Sequence, residues 1–251
     1  MLRYVPWFAC LLGMWASNAS AAAPEPPLQM YTEDVPPLNY LDGNRVAGYS
    51  TAVAERMLAL AGLRGDFHLY PWKRADAIVE QEPNTVLYTT ARTEDRENLF
   101  QWVGPLAPRR IYLYRLNRRS DIKLNRLADV QDYSVVGLND SAAALDLRQR
   151  LPKVNLLLIH DEQQSLQMLL FGHADLAIML DWAMQYHLAT LHVAADSVTP
   201  ALLLDDRYQY YFAVSKATPK ATVAKLQAAF DQLKGSGELA RLQEQYLHMK
   251  Y

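Results

Sequence analysis

The sequence predicts an α/β fold with mainly parallel sheets, organised as two lobes. Three observations carry this. Apolar runs of strand length alternate with stretches of helical periodicity along the whole chain. The alternation starts afresh after a basic, extended segment at 109–122. And 51% of the residues are apolar or aromatic, enough for sizeable cores in the 251-residue chain.

The N-terminal stretch MLRYVPWFACLLGMWASNASAAAP sets a basic Arg3 before an apolar run and then small residues. This is the three-part pattern of a secretory signal peptide, assigned to residues 1–22, with cleavage after Ala21 or Ala22 because Pro24 obstructs a cut just before it. The apolar run is short for a membrane span. Cys10, the single cysteine, lies inside that run, so the exported chain is expected to have no disulfide, thiol nucleophile or cysteine-held zinc.

The elements follow in order. LQMYT (28–32) reads as a strand, and PPLNYLDGNRVAGYS as a loop with a tight turn at Asp42-Gly43. STAVAERMLALAG has apolar residues at helical spacing, with Ser50 or Thr51 as cap and Gly62 as stop. FHLYPW is strand-like, KRADAIVEQE a short helix and TVLYTT a strand. In TARTEDRENLFQWVGP, Thr93 is expected to cap a short helix whose first turn holds Glu94 and Asp95. Phe100 and Trp102 then pack, and Gly104-Pro105 ends the segment in a turn. In the second set, YSVVGL, VNLLLIH and ADLAIML read as strands. DSAAALDLRQRL is a helix capped by Asp140 or Ser141, DEQQSLQMLLFG one stopped by Gly172, and DWAMQYHLATL one capped by Asp181. YQYYFAVSK is extended again, and two helices broken at Gly235 and Gly237 close the chain.

Composition narrows the function. The formal charge of −2, or −3 once Arg3 is removed, gives no basic footprint for nucleic acid. The six histidines are scattered, and His187 and His192, five apart, do not share a helix face. There is no G-x-S-x-G, H-E-x-x-H or phosphate loop, so neither metal nor cofactor is expected, and no catalytic residue is assigned.

Taken in order, PPLNYLDGNRVAGYSTAVAERML, YPWKRA, TTARTEDRENLFQWVGPL, YSVVGLNDSAAALD, GHADLAIMLDWAMQYH and LQAAFDQLKGSGELARLQEQY resemble the bacterial extracellular solute-binding proteins of family 3, the polar amino-acid uptake type. The resemblance covers nearly all of the chain after the leader. It implies a periplasmic two-lobed clamp with two hinge crossovers: residues 24–112 and 208–251 in one lobe, 113–207 in the other. It also implies a small amino-acid-like ligand, a membrane permease or receptor as partner, and no enzymatic activity. A monomer is expected.

Ligands of open α/β sheets bind beyond the carboxyl ends of strands, where helix N-termini offer N–H groups and positive dipole. The resemblance places the ligand's carboxylate on Arg96 of the T-x-x-R pattern, whose planar fork makes two parallel charged bonds. Arg92 either assists or pairs with Glu97 or Asp34. Asp181 is matched to the carboxylate that takes the ligand's ammonium. Tyr88, Thr89, Thr90 and Ala91 are expected to line the strand end with carbonyls and the Thr89 hydroxyl, and Trp72 with Tyr88 to form an apolar wall. Lys73 and Arg74 lie near the mouth, and Glu33 and Asp34 are placed to meet a cationic side chain or simply to be solvated.

One departure stands out. Where amino-acid binders of this family carry Gly-Ser-Thr or Gly-Thr-Thr, this chain reads NDSAAA, so Ser141 keeps its hydroxyl but Ala142 and Ala143 bring only N–H groups. This leaves room for another small anion or ring carboxylate. Two rival readings therefore accompany the clamp: an enzyme acting on a small ring carboxylate, with Asp181 or Glu162 as candidate acids, and a sensory binder for a membrane receptor.

Overall fold

The computed structural model describes residues 26–139 and 141–247; the leader and Asp140 lie outside them. In chain order the elements are β1 (Leu28–Thr32), β2 (Tyr40–Asp42), β3 (Arg45–Ala47), α1 (Tyr49–Ala61), β4 (Gly65–Leu69), α2 (Trp72–Gln81), β5 (Thr85–Ala91), β6 (Phe100–Pro108), β7 (Ile111–Leu116), β8 (Ser134–Leu138), α3 (Ala142–Arg150), β9 (Asn155–Ile159), α4 (Glu162–Leu170), β10 (Leu176–Leu180), α5 (Asp181–Thr190), β11 (Val198–Asp205), β12 (Gln209–Ser215), α6 (Lys220–Gly235) and α7 (Glu238–Leu247).

Two five-stranded sheets result, ordered β4-β1-β5-β12-β6 and β11-β7-β10-β8-β9, with a small β2-β3 hairpin at the Asp42-Gly43 turn. The chain passes from the first sheet to the second between Pro108 and Ile111 and returns between Asp205 and Gln209. Each sheet is mixed. β1 pairs in parallel with β4 and β5, and β8 with β9 and β10, whereas β12 and β7 each pair antiparallel with both neighbours. The expectation of mainly parallel sheets thus holds for the strand-helix-strand units only. The strands that receive the chain after each crossing, β7 and β12, run the opposite way.

β1 and β5 are inner strands of the first lobe and are buried along nearly their whole length because both faces are covered. α1 buries Val53, Ala54, Met57 and Leu58. Gly62, at φ 67°, turns its N–H back onto Ala59 and Leu58 and ends the helix as expected. The start differs from expectation: Gly48 precedes the helix, and Ser50 and Thr51 lie inside its first turn. Gly48 holds φ 110°, and a Cβ there would sit 2.5 Å from the Leu38 carbonyl oxygen.

Other local expectations are corrected. The Thr93 segment is not a helix but two successive turns, Arg96 N–H to Thr93 O and Leu99 N–H to Arg96 O, and the Thr93 hydroxyl turns to Asp95. The Arg92–Glu97 ion pair and the Thr93–Asp95 bond hold the span between β5 and β6 in these turns. Gly104-Pro105 lies within β6, an edge strand, where proline's missing N–H costs no ladder bond. Trp72 opens α2 instead of ending a strand. Asp181 is the first residue of α5, not its cap; Leu180 holds that position.

The principal apolar cluster runs from α1, β5 and α6 through Tyr210 of β12 into Trp182, Leu166 and Leu169 of the second lobe. The Trp182 and Tyr210 rings lie 6.3 Å apart.

Candidate functional site

The carboxyl ends of β1 and β5 lie side by side, because these strands pair directly. From them leave two loops, one carrying Glu33 and Asp34, the other Arg92 to Leu99. Arg96 lies over the Trp72 ring at 4.6 Å, and its Nη2 donates to Asp76 Oδ2 at 3.3 Å. Trp72 and Asp76 are one helical turn apart on α2, so one face of that helix holds the guanidinium from below and from the side. Asp76 spends one oxygen on Arg96, while its buried Oδ1 has no partner among the described residues. Burial pushes the Asp76 carboxyl up, with Arg96 opposing.

Burial also pushes Glu33 up, to about 7, against the pull of Arg96 and with the help of Asp34. Asp34 is raised by burial as well. The structure thus sets Arg96 over Trp72, which the sequence reading had paired with Tyr88 instead, and adds Asp76 as the partner of Arg96. Asp76 was legible as the residue four after Trp72 in WKRAD, but was not singled out.

Arg92 goes elsewhere. Its fork donates to both Glu97 oxygens, at 2.7 and 2.6 Å, and its guanidinium lies over Trp102 (5.6 Å) and Tyr211 (5.2 Å). With Arg207, Tyr208 and Tyr211 it lines an open groove of about 370 Å³ that includes neither Arg96 nor Asp181. We take the Arg96 neighbourhood as the candidate site, because charge and burial converge there and the groove's arginine is already satisfied.

The strand end behaves differently from expectation. Tyr88 is fully buried, donates to or accepts from Thr51 at 3.0 Å, and contacts Phe67 and Phe212, so it packs with α1 and not in a wall with Trp72. Burial pushes its hydroxyl far up. The Thr89 hydroxyl donates to Asn39 Oδ1 at 2.9 Å and that of Thr90 to the Leu87 carbonyl. Thr89 nonetheless stands at φ 63°, a strained position for a β-branched residue, beside a bulge in the β5–β12 pairing. Ala91 closes the strand against Tyr210. Lys73 and Arg74 are exposed, and Arg74 covers Tyr70 at 4.0 Å.

In the second lobe Asp181 follows β10 directly. Its Oδ2 accepts from Arg110 Nε at 2.7 Å and its Oδ1 from the Trp182 N–H, while its own N–H donates to the Arg110 carbonyl. Burial pushes this carboxyl up, opposed by Arg110. Ser141 caps α3 through the Ala144 N–H at 3.2 Å, and Ala142 opens that helix, exposed. Glu162, at the start of α4, faces His187 of α5: Nε2 to Oε2 is 3.1 Å.

The crossovers are tied by charge. Arg109 Nη1 donates to Asp205 Oδ2 at 2.8 Å, and Arg207 Nε to Asp205 Oδ1 at 2.7 Å. Burial pushes the Tyr210 hydroxyl far up, opposed by Arg109. None of Arg109, Arg110, Asp205 or Tyr210 was assigned from sequence, since each matters through a neighbour distant in the chain. Among the described residues no group of His, Cys, Asp or Glu is placed to hold a metal, and no helix is long and apolar enough to cross a membrane.

Residues 28–249 match the model of the bacterial extracellular solute-binding proteins, family 3. No curated protein matches the chain. Among solved structures, a histidine kinase sensor domain with similarity to periplasmic binding proteins superposes with a TM-score of 0.71 at 17% identity, covering 88% of this chain and 96% of that one. The arginine-, lysine-, histidine-binding protein ArtJ from the thermophilic bacterium Geobacillus stearothermophilus gives 0.68 at 13%, covering 90% and 97%. The ancestral amino acid-binding protein AncCDT-1, a precursor of cyclohexadienyl dehydratase, gives 0.70 at 17%, covering 88% and 95%. These likenesses establish the two-lobed fold.

Proposed function

Because the chain belongs to the bacterial extracellular solute-binding proteins, family 3, we propose that it is an exported binder that captures a small amino-acid-like solute between its lobes and delivers it to a membrane transporter. We divide the lobes at the two crossings, 109–110 and 206–208. The ligand's carboxylate bonds Arg96 and its ammonium bonds Asp181.

One observation carries this reading. Arg96 and Asp181 follow the carboxyl ends of strands in different sheets, and each is held by an opposite charge of its own: Arg96 by Asp76 at 3.3 Å, Asp181 by Arg110 at 2.7 Å. A zwitterion offers both a new partner at once, which neither lobe supplies alone, so binding and closure are linked. The α3 N-terminus behind Ser141 adds N–H groups, which the alanines of NDSAAA leave open to approach. Trp72 supplies an apolar face under Arg96.

A thermal-shift screen of protein lacking residues 1–22 against amino acids, organic acids and short peptides tests this. A ligand that binds only the folded clamp adds about 2.7 kcal/mol at a hundredfold excess over its Kd. No shift with any amino acid sinks the reading. The raised Glu33 carboxyl favours a second reading, a periplasmic enzyme in which this acid protonates a small ring carboxylate. Product formation from such a substrate decides for it. A sensory role is separated from uptake by whether the closed form binds a permease or a receptor.

A further inference from the structure

The counter-charge of Arg96 comes from the protein's own α2. Ala75 and Val79 of that helix are buried in a cluster with Leu87 and Phe100 of the first sheet, and this fixes where Trp72 and Asp76, one turn apart, meet the guanidinium. The Asp76 Oδ2 accepts from Arg96 Nη2 at 3.3 Å, long for a charged pair, whereas Arg92 holds Glu97 through two bonds of 2.7 and 2.6 Å. The side chains of Arg96 and Asp76 are 20% and 22% exposed, so neither has much water to turn to. The other carboxyl oxygen of Asp76, Oδ1, is buried with no hydrogen-bond partner among the described residues. Glu80, one turn further along α2, adds negative charge to the same place.

A ligand carboxylate that bonds Arg96 therefore meets a guanidinium that is already neutralised. Two carboxylates then share one cation in a partly dry place, where like charges repel more strongly than in water. An uncharged carboxamide or ester at the same end of the ligand accepts from Arg96 without that repulsion. The second lobe points the same way: the Ser141 hydroxyl is taken up by the Ala144 N–H at 3.2 Å, and Ala142 and Ala143 bring no hydroxyl of their own. We propose that Asp76 determines selectivity in the cleft: as the resident counter-ion of Arg96 it competes with the ligand's acid group, and so lowers the preference for a free α-carboxylate over an uncharged carboxamide. The proposal rests on the clamp reading above and extends its ligand class to amino acids with a blocked carboxyl end. The raised Asp76 carboxyl agrees with it, since burial there outweighs the pull of a loosely bonded Arg96.

Isothermal titration of the protein and of Asp76→Asn with each standard L-amino acid, and with the α-carboxamide of each one that binds, tests it. The substitution keeps an oxygen for Arg96 Nη2 and removes the charge. The ratio of acid to amide affinity is expected to rise on the order of 10-fold in Asp76→Asn, the scale of a charged hydrogen bond, through tighter binding of the acid. Thermal midpoints check folding, and Asp76→Ser takes the place of Asp76→Asn if the latter does not fold. A ratio that stays the same or falls overturns the proposal and leaves the clamp reading standing; equal losses for acid and amide are one such result, and reduce Asp76 to a support for its helix. Failure of every amino acid to bind the protein and its variants removes the clamp reading and the proposal together.

Discussion

Arg92 and Arg96 stand four residues apart in one loop and send their guanidiniums to different partners: Arg92 to Glu97, over Trp102 and Tyr211, and Arg96 to Asp76, over Trp72. The first is satisfied at both ends of its fork, whereas among the described residues the second donates only to Asp76.

The two arginines should therefore separate on mutation. Arg96→Ala is expected to weaken binding of a carboxylate ligand by about 2–4 kcal/mol, and Arg96→Lys by part of that, since an ammonium lacks the planar fork. Arg92→Ala is expected to stay within about threefold of the parent Kd. Titration of the three variants with one ligand checks this; equal losses for Arg92→Ala and Arg96→Ala would count against Arg96 as the anchor.

Asp205 joins both crossovers through Arg109 and Arg207, and its side chain is 13% exposed against 15% for that of Arg109. Asp205→Ala leaves Arg109 half-buried without its carboxylate and is expected to cost about 1–3 kcal/mol of stability. Urea unfolding reads the loss, and an unchanged midpoint would show that the tie contributes nothing.

Glu33 predicts an unusual pH profile. Its folded pKa, pushed up to about 7, lies above its ordinary value of 4.5, so the folded protein holds this proton more tightly than the unfolded chain. Its favourable contribution is complete below pH 4.5 and is lost as pH rises through about 7, a change of at most about 3 kcal/mol. Asp34, Asp76 and Asp181, also raised, act in the same direction. Ligand-free stability followed from pH 4.5 to 8 is expected to fall, and to fall less in Glu33→Gln. Identical profiles would contradict the assignment.

Gly48→Ala meets both a positive φ and the Leu38 carbonyl at 2.5 Å. A loss of about 2 kcal/mol or more is expected, because the obstructing atom is backbone and cannot swing aside. Thermal unfolding of the variant measures it.

The elements legible in the sequence are those whose local signals agree with their place in the fold. β1, β5, β8 and β10 are apolar runs buried on both faces, and Gly62 ends α1 as a left-handed residue should. β6 and β11 were missed for a shared reason. Both are edge strands, and both contain a proline, at 105 and 200, that reads as a turn unless the free edge is known. Within the site, Trp72 was paired with Tyr88, whereas its ring lies under Arg96 and the Tyr88 hydroxyl meets Thr51 of α1. Alternation tells which residues share a face and not which face turns to the cleft. Arg110 beside Asp181, and Glu162 beside His187, depend on contacts between segments far apart in the chain.

The route of the chain also fixes an order of assembly. All strands of the second sheet, from Ile111 to Asp205, come from one uninterrupted stretch, whereas β5 and β6 meet β12 only after that stretch has been spanned: Val86 sits opposite Val214, and Pro108 opposite Gln209. Closing the first sheet while the intervening hundred or so residues are loose carries a chain-entropy cost that a folded insert removes, since it brings its own two ends together. The middle of the chain is thus expected to gain amide protection first on refolding. The half that holds Arg96 waits for the half that holds Asp181.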